Sequence, residues 1–140
     1  MNVKLACLTC GQVNRVPAEK LGDAPKCGTC GAGLMPSSPV EIGFDILEKA
    51  RTMDEVPLAV DFWAGWCGPC RMMAPEFSKA AKEMSGRARF AKLDTEAHPQ
   101  AGARFGIRGI PLLIRFRNGR EEARLTGAVQ ASAIVSWMGQ

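Results

Sequence analysis

The sequence predicts an α/β domain, a mixed central sheet with helices on both faces, preceded by a small cysteine-rich ribbon. Three observations predict it. Short apolar runs alternate with segments of helical period through residues 40–140. A strong hairpin signal, two alternating runs joined by Asn118-Gly119, lies near the end. Residues 1–35 hold four cysteines and five glycines but few large apolar groups, too few to build a core unaided.

Each element follows from its own residues. Val40 to Ile42 reads as a short strand, and Phe44 to Met53 as a helix with Phe44, Leu47 and Ala50 on one face. In "PLAVDFWA", Leu58, Val60, Phe62 and Trp63 make a buried strand that Asp61 interrupts. Met73, Phe77, Ala80 and Met84 then recur at helical spacing, with Pro75 expected to kink the helix. "RARFAKLD" is another strand, and "HPQAGARFG" a short helix ended by Gly106. "PLLIRFR" and "REEARLTG" flank Asn118-Gly119, a pair suited to a two-residue type I′ turn. "QASAIVSWM" closes the chain with a helix whose candidate core is Ile134, Val135, Trp137 and Met138. The order is β-α-β-α-β-α-β-β-α. "MPSSPV", with two prolines around two serines, separates it from the ribbon. The expected division is 1–35, a linker at 36–39, and 40–140.

Composition narrows the function. Hydrophobic residues make up 46%, enough for a packed core rather than a disordered chain. The net charge of +4 is mild, and Arg115, Arg117, Arg120 and Arg124 alternate with apolar or acidic neighbours, as on a solvated sheet face. No dense basic cluster with interleaved aromatics speaks for nucleic acid. The N-terminal residues do not have the pattern of a secretory signal, and no apolar run approaches the roughly 18 residues of a membrane span. The expected setting is the cytoplasm, where paired cysteines more often mean metal or redox catalysis than structural disulfides.

All six cysteines fall in Cys-x-x-Cys pairs. Cys7/Cys10 and Cys27/Cys30, sixteen residues apart, have the spacing of a two-hairpin zinc ribbon. Four thiolates satisfy tetrahedral zinc and close its shell, so one structural Zn2+ is expected. Gly11 and Gly31 follow the pairs and permit the backbone to fold back toward the sulfurs. Two disulfides or four free thiols are the alternatives. A ~35-residue segment with little core gains its folding free energy from such a cross-link.

Cys67 and Cys70, in "WAGWCGPC", are surplus to that metal. The pair follows a buried strand and opens a helix, where unsatisfied N–H groups and the helix dipole favour a thiolate at Cys67. Gly68-Pro69 shapes a tight turn that leaves Cys67 outermost, and proline suits the first helical turn. Trp63 and Trp66 flank the pair. Asp61, buried in an apolar strand, is costly without a partner or a task, and burial raises its proton affinity. It could also be a satisfied core carboxylate, and Lys92 an ordinary strand-edge lysine.

"VDFWAGWCGPCRMMAP" closely resembles the active-site segment of thioredoxins, and "AKLDTE", "FGIRGIP", the Asn-Gly hairpin and Gly127 extend the resemblance over residues 40–140. With its ribbon, the chain resembles the zinc-containing bacterial type of that family. The resemblance implies a thioredoxin fold and a protein-disulfide reductase. It makes Cys67 the attacking thiolate, Cys70 the resolving thiol, Asp61 the proton acceptor and Lys92 its neighbour. It puts a cis bond at Ile110-Pro111, and a docking surface at Trp66, Gly68, Pro69, Gly109, Ile110, Pro111 and Gly127. It implies an NADPH-dependent flavin reductase as electron donor, disulfide-bearing client proteins and a monomer. No organic cofactor is expected in the chain itself, which has no dinucleotide-binding glycine fingerprint. Leu112, Phe105 and Arg71 depart from the residues common at those places. A zinc-dependent binding module or holdase with a secondary redox role is the competing reading, and the zinc site is either structural or redox-sensing.

Overall fold

The computed structural model describes residues 1–140. Its larger sheet contains β3 (Val40–Glu41), β4 (Leu58–Trp63), β5 (Arg89–Asp94), β6 (Leu112–Arg117) and β7 (Arg120–Thr126). They lie in the order β3-β5-β4-β6-β7. Both β3 and β4 run parallel to β5, while β6 is antiparallel to β4 and to β7. The near-continuous apolar run of β4 explains why both of its faces are covered. Val60 and Phe62 pack with Leu47 and Ala50 of α1 (Phe44–Met53) and with Ala101 and Phe105 of α3 (Gln100–Phe105). Ala59, on the opposite face, packs with Met73 and Phe77 of α2 (Gly68–Glu83) and Ile134 and Trp137 of α4 (Ala131–Met138). Helix α2 is not interrupted at Pro75. At the hairpin, Asn118 (φ 52°) and Gly119 (φ 79°) are both left-handed, the requirement of a type I′ turn.

The alternating arginines are not one solvated face. Arg115 is buried: its guanidinium donates to the Trp137 carbonyl, stacks 5.4 Å from that indole and pairs with Glu122 at 3.1 Å. The bulge between Arg115 and Phe116 shifts the β6/β7 register at that point. Its neighbours Arg117 and Arg124 remain more open, paired with Glu122 and Glu121.

The ribbon is a second, two-stranded sheet of β1 (Asn2–Ala6) and β2 (Val13–Pro17), with a Lys26–Gly33 bridge closing the second knuckle. It is seated against the larger unit. Leu5, Val16, Leu34 and Met35 form a small core with Val56, which precedes β4, and Ala6 and Leu8 join the core beneath α1. The Glu55 N–H donates to the Lys4 carbonyl at 2.9 Å, and the Lys4 N–H to Glu55 Oε1 at 2.7 Å. Below them Asp54 accepts the Ala6 N–H at 2.9 Å and pairs with Arg89, which is wholly buried and donates to the Leu34 carbonyl at 3.3 Å. Nothing in the local pattern of "RARF" singled out Arg89, because its partners lie 35 and 55 residues away.

Candidate functional site

Two sulfur clusters stand apart in character. In the ribbon, the Sγ atoms of Cys7, Cys10, Cys27 and Cys30 lie within 4.8 Å of one another. Cys7 is 3.6 Å from Cys30, and Cys10 is 3.7 Å from Cys27. A tetrahedron with ~2.3 Å Zn–S bonds has edges of about 3.8 Å, so the cluster fits a Zn2+ ion in size. The donor set fits as well. The Cys10 and Thr29 N–H groups and the Asn14 amide each point at sulfur, at 3.4 Å. Gly11 (φ 85°) and Gly31 (φ 79°) take the left-handed conformation that these turns require. Backbone N–H donors, that of Cys30 first, hold Cys27 down at about 6. Although burial opposes it, the N–H groups of Cys10 and Thr9 also lower Cys7. Cys10 goes the other way. Against the Gln12 N–H, desolvation and the neighbouring thiols push it up to about 11. Four thiolates this close repel one another, and a divalent cation supplies the missing positive charge. The four cysteines are a structural zinc site.

The second cluster caps a helix. Cys67 is the N-cap of α2, and its sulfur accepts the Cys70 N–H at 3.2 Å. Gly68 and Pro69 open the helix, where proline loses no hydrogen bond. Cys67 and Cys70 form a disulfide with Cα atoms 5.2 Å apart. In this oxidised form neither is outermost: Cys67 is 3% and Cys70 2% exposed. What stands open is Trp66, at 68%. Ile110-Pro111 is a cis peptide, and the Ile110 carbonyl oxygen lies 3.7 Å from Cys67 Sγ. Gly127 (φ 88°) donates its N–H to the Pro111 carbonyl at 2.9 Å, tying the loop after β7 to the same corner. Trp66, Gly109 and Ile110 line a groove of about 410 Å³. Sequence reasoning missed four residues of that groove: Thr95, Gly102, Ile107 and Arg108. The position of Thr95 within "AKLDTE", and of Ile107 and Arg108 within "FGIRGIP", could have flagged three of them.

Asp61 shares the α2-facing side of β4 with Ala59. It is wholly buried, and neither carboxylate oxygen has a hydrogen-bond partner. Burial pushes it up to about 7, against the attraction of Lys92 and with a further upward push from Glu41. Lys92 stands directly across from Asp61 in the β4/β5 register. Its ammonium lies 4.9 Å from the centre of the Trp63 ring. Trp63 is therefore not a second rim residue beside Trp66. It is half-buried, with its indole N–H donating to Glu41 at 2.9 Å. Glu41 is a further member of the site that sequence reasoning did not find.

A family model described as Thioredoxin matches residues 47–140. The chain belongs to the thioredoxin family. A second model, Thioredoxin 2, N-terminal, a zinc ribbon, matches residues 6–32. Among similar thioredoxins, Thioredoxin C-3 of Corynebacterium nephridii is 40% identical over 136 residues, covering 97% of this chain and 93% of that protein. The thioredoxin of Allochromatium vinosum is 40% identical over 101 residues, 72% of this chain and 94% of its own length. The solved structure of chloroplastic thioredoxin z superposes with a TM-score of 0.68 at 32% identity, covering 73% of this chain and 92% of that one. As a thioredoxin with a redox-active cysteine pair, the chain is a thiol-disulfide oxidoreductase that reduces protein disulfides. Thioredoxin chemistry also requires a reductase partner to restore the dithiol. No helix is long and apolar enough to cross a membrane.

Proposed function

We propose that Cys67 attacks and Cys70 resolves, with Asp61 as the proton acceptor and Lys92 as its electrostatic neighbour. The observation that carries this reading is the buried, unpartnered carboxylate of Asp61 on the strand that leads into a dithiol at a helix N-terminus. The Cys67 thiolate attacks one sulfur of a client disulfide; the Cys67–client bond forms, the client S–S bond breaks, and the first client thiolate takes a proton from solvent. Cys70 then passes its proton to Asp61, and its thiolate attacks the Cys67 sulfur. The Cys67–Cys70 bond forms as the mixed disulfide breaks, and the second client thiolate leaves to be protonated. Two electrons have moved from the dithiol to the client. Trp66, Gly68, Pro69, Gly109, Ile110, Pro111 and Gly127 form the docking surface, and the free Ile110 backbone receives an extended client segment as a strand.

The electron donor in this reading is an NADPH-dependent thioredoxin reductase, and the protein works as a monomer in the cytoplasm. Residues 1–35 and 40–140 are the two units, joined by 36–39, a division supported by their separate sheets. The ribbon's part is structural, supported by the closed set of four thiols and by its seat against Val56 and Arg89. The deciding test is NADPH-coupled insulin reduction by the wild type, by Cys67→Ser and by a Cys7→Ser/Cys10→Ser variant. Activity is expected to vanish in the first variant and to persist, in whatever fraction stays folded, in the second. Activity that survives Cys67→Ser and dies with the ribbon cysteines overturns the reading in favour of a zinc-dependent module.

A further inference from the structure

Glu41, Lys92 and Asp61 occupy one rung of the sheet. Glu41 pairs with Lys92 across β3/β5, and Lys92 with Asp61 across β5/β4. Side chains at directly paired positions share a face, so the three ionisable groups stand in a row, anion–cation–anion. The row is graded in depth: Glu41 is exposed, Lys92 half-buried and Asp61 fully buried. Trp63, two residues along β4 from Asp61 and thus on the same face, joins the row from the side. It donates its indole N–H to Glu41 at 2.9 Å and presents its ring to the Lys92 ammonium at 4.9 Å.

We propose that Glu41 is a positioning residue for the reaction: it holds Trp63 and draws on the Lys92 charge, and so sets how firmly Asp61 keeps the proton it takes from Cys70. The inference rests on the assignment of Asp61 as proton acceptor. Its physics is competition for one cation. If Lys92 served Asp61 alone, the carboxylate would be favoured and would be a poor base. With Glu41 taking part of that charge from the outer side, Asp61 remains a base that works near neutral pH. The other charged groups facing the row are few. Asp94 and His98 face Glu41 from the end of β5 and the segment beyond it. From β6 the partner of Asp61 is apolar Leu113, and the buried face of α2 presents Cys70, Met73, Phe77, Ala80 and Ala81, with no carboxylate or cation among them. Partial desolvation, the largest cause, holds Glu41 above its ordinary range, while the Trp63 hydrogen bond and Lys92 pull it down.

The test is single-turnover reduction of insulin by the fully reduced, zinc-loaded full chain, followed by tryptophan fluorescence across pH. Glu41→Gln keeps an acceptor for the Trp63 N–H and removes only the charge. Two strand spacings separate Glu41 from Asp61, about 10 Å, so the inflection of the resolving step is expected to fall by about 0.5 to 1 pH unit. Glu41→Asp, which restores the charge, is expected to return the inflection toward the wild-type position. Asp61→Asn is the control that separates the two claims. If Asp61→Asn abolishes the inflection and Glu41→Gln leaves it unmoved, Glu41 has no such role and Asp61 keeps its own. If the inflection survives Asp61→Asn, the assignment of Asp61 falls and the role of Glu41 falls with it.

Discussion

Replacing Asp61 by asparagine should stabilise the oxidised protein at alkaline pH and leave it less changed in acid. The native carboxyl sits at about 7 against an ordinary 3.8, a gap of about three units. The sign follows from linkage. Because the native pKa is raised, the folded state holds the proton more tightly than the unfolded chain. Its stabilising contribution is complete below the unfolded value and is lost as pH rises through the native one. At 1.36 kcal/mol per unit the full loss is about 4 kcal/mol. Roughly half of it, ~2 kcal/mol, falls between about pH 5.5 and 8.5. Glu41 and Asp54 are raised as well, so the quantity to read is the difference between wild type and Asp61→Asn. Guanidinium denaturation of the zinc-loaded, oxidised proteins across that window gives it. A stability difference that is flat with pH would refute the account of Asp61 as a desolvated, unpartnered carboxyl.

Arg89→Met should cost about 3–5 kcal/mol, because it strands the buried Asp54 carboxylate with only the Ala6 N–H. Adding Asp54→Asn should recover part of that loss; a double variant no better than the single would contradict the argument, as calorimetry can decide. Burial outweighs Arg89 in setting Asp54, which stays above its ordinary range, so the pair fastens the ribbon rather than adding net stability. Stripping zinc with a chelator should lower the melting temperature and expose the ribbon strands first, read as early amide exchange at Leu5 and Val16 with later exchange at Val60 and Phe62. Simultaneous exchange of both sets would mean that the ribbon and the larger sheet unfold as one.

Local chemistry was legible. The Asn118-Gly119 turn needs two left-handed residues, and that pair supplies them at the least steric cost. The cysteine spacing, the apolar strand broken by Asp61 and the helix-opening Gly68-Pro69 carried the zinc and dithiol sites for the same reason: each is written within a few residues. Glu41, Arg89 and Arg115 were not legible. A glutamate on a two-residue strand and an arginine in an alternating run have the signature of solvated side chains. What gives them their roles is a partner 22 to 55 residues distant, brought near only by sheet order and by the ribbon's seat. The register that aligns Glu41 with Asp61 through Lys92 depends on β5 lying between β3 and β4, an order that no local pattern encodes.

The ribbon is anchored at Asp54 and Val56, where the chain enters β4, whereas the dithiol follows the point where the chain leaves it. Six strand residues span about 20 Å. Thiol exchange needs sulfur to touch sulfur. The ribbon's anchor and the redox pair thus sit at opposite ends of one strand, and turnover at the second does not have to disturb the first. If the zinc cysteines keep the same separation, a ribbon that had lost its zinc to an oxidant is repaired only by a second molecule. Recovery would then be bimolecular, fast where the protein is abundant and slow where it is dilute.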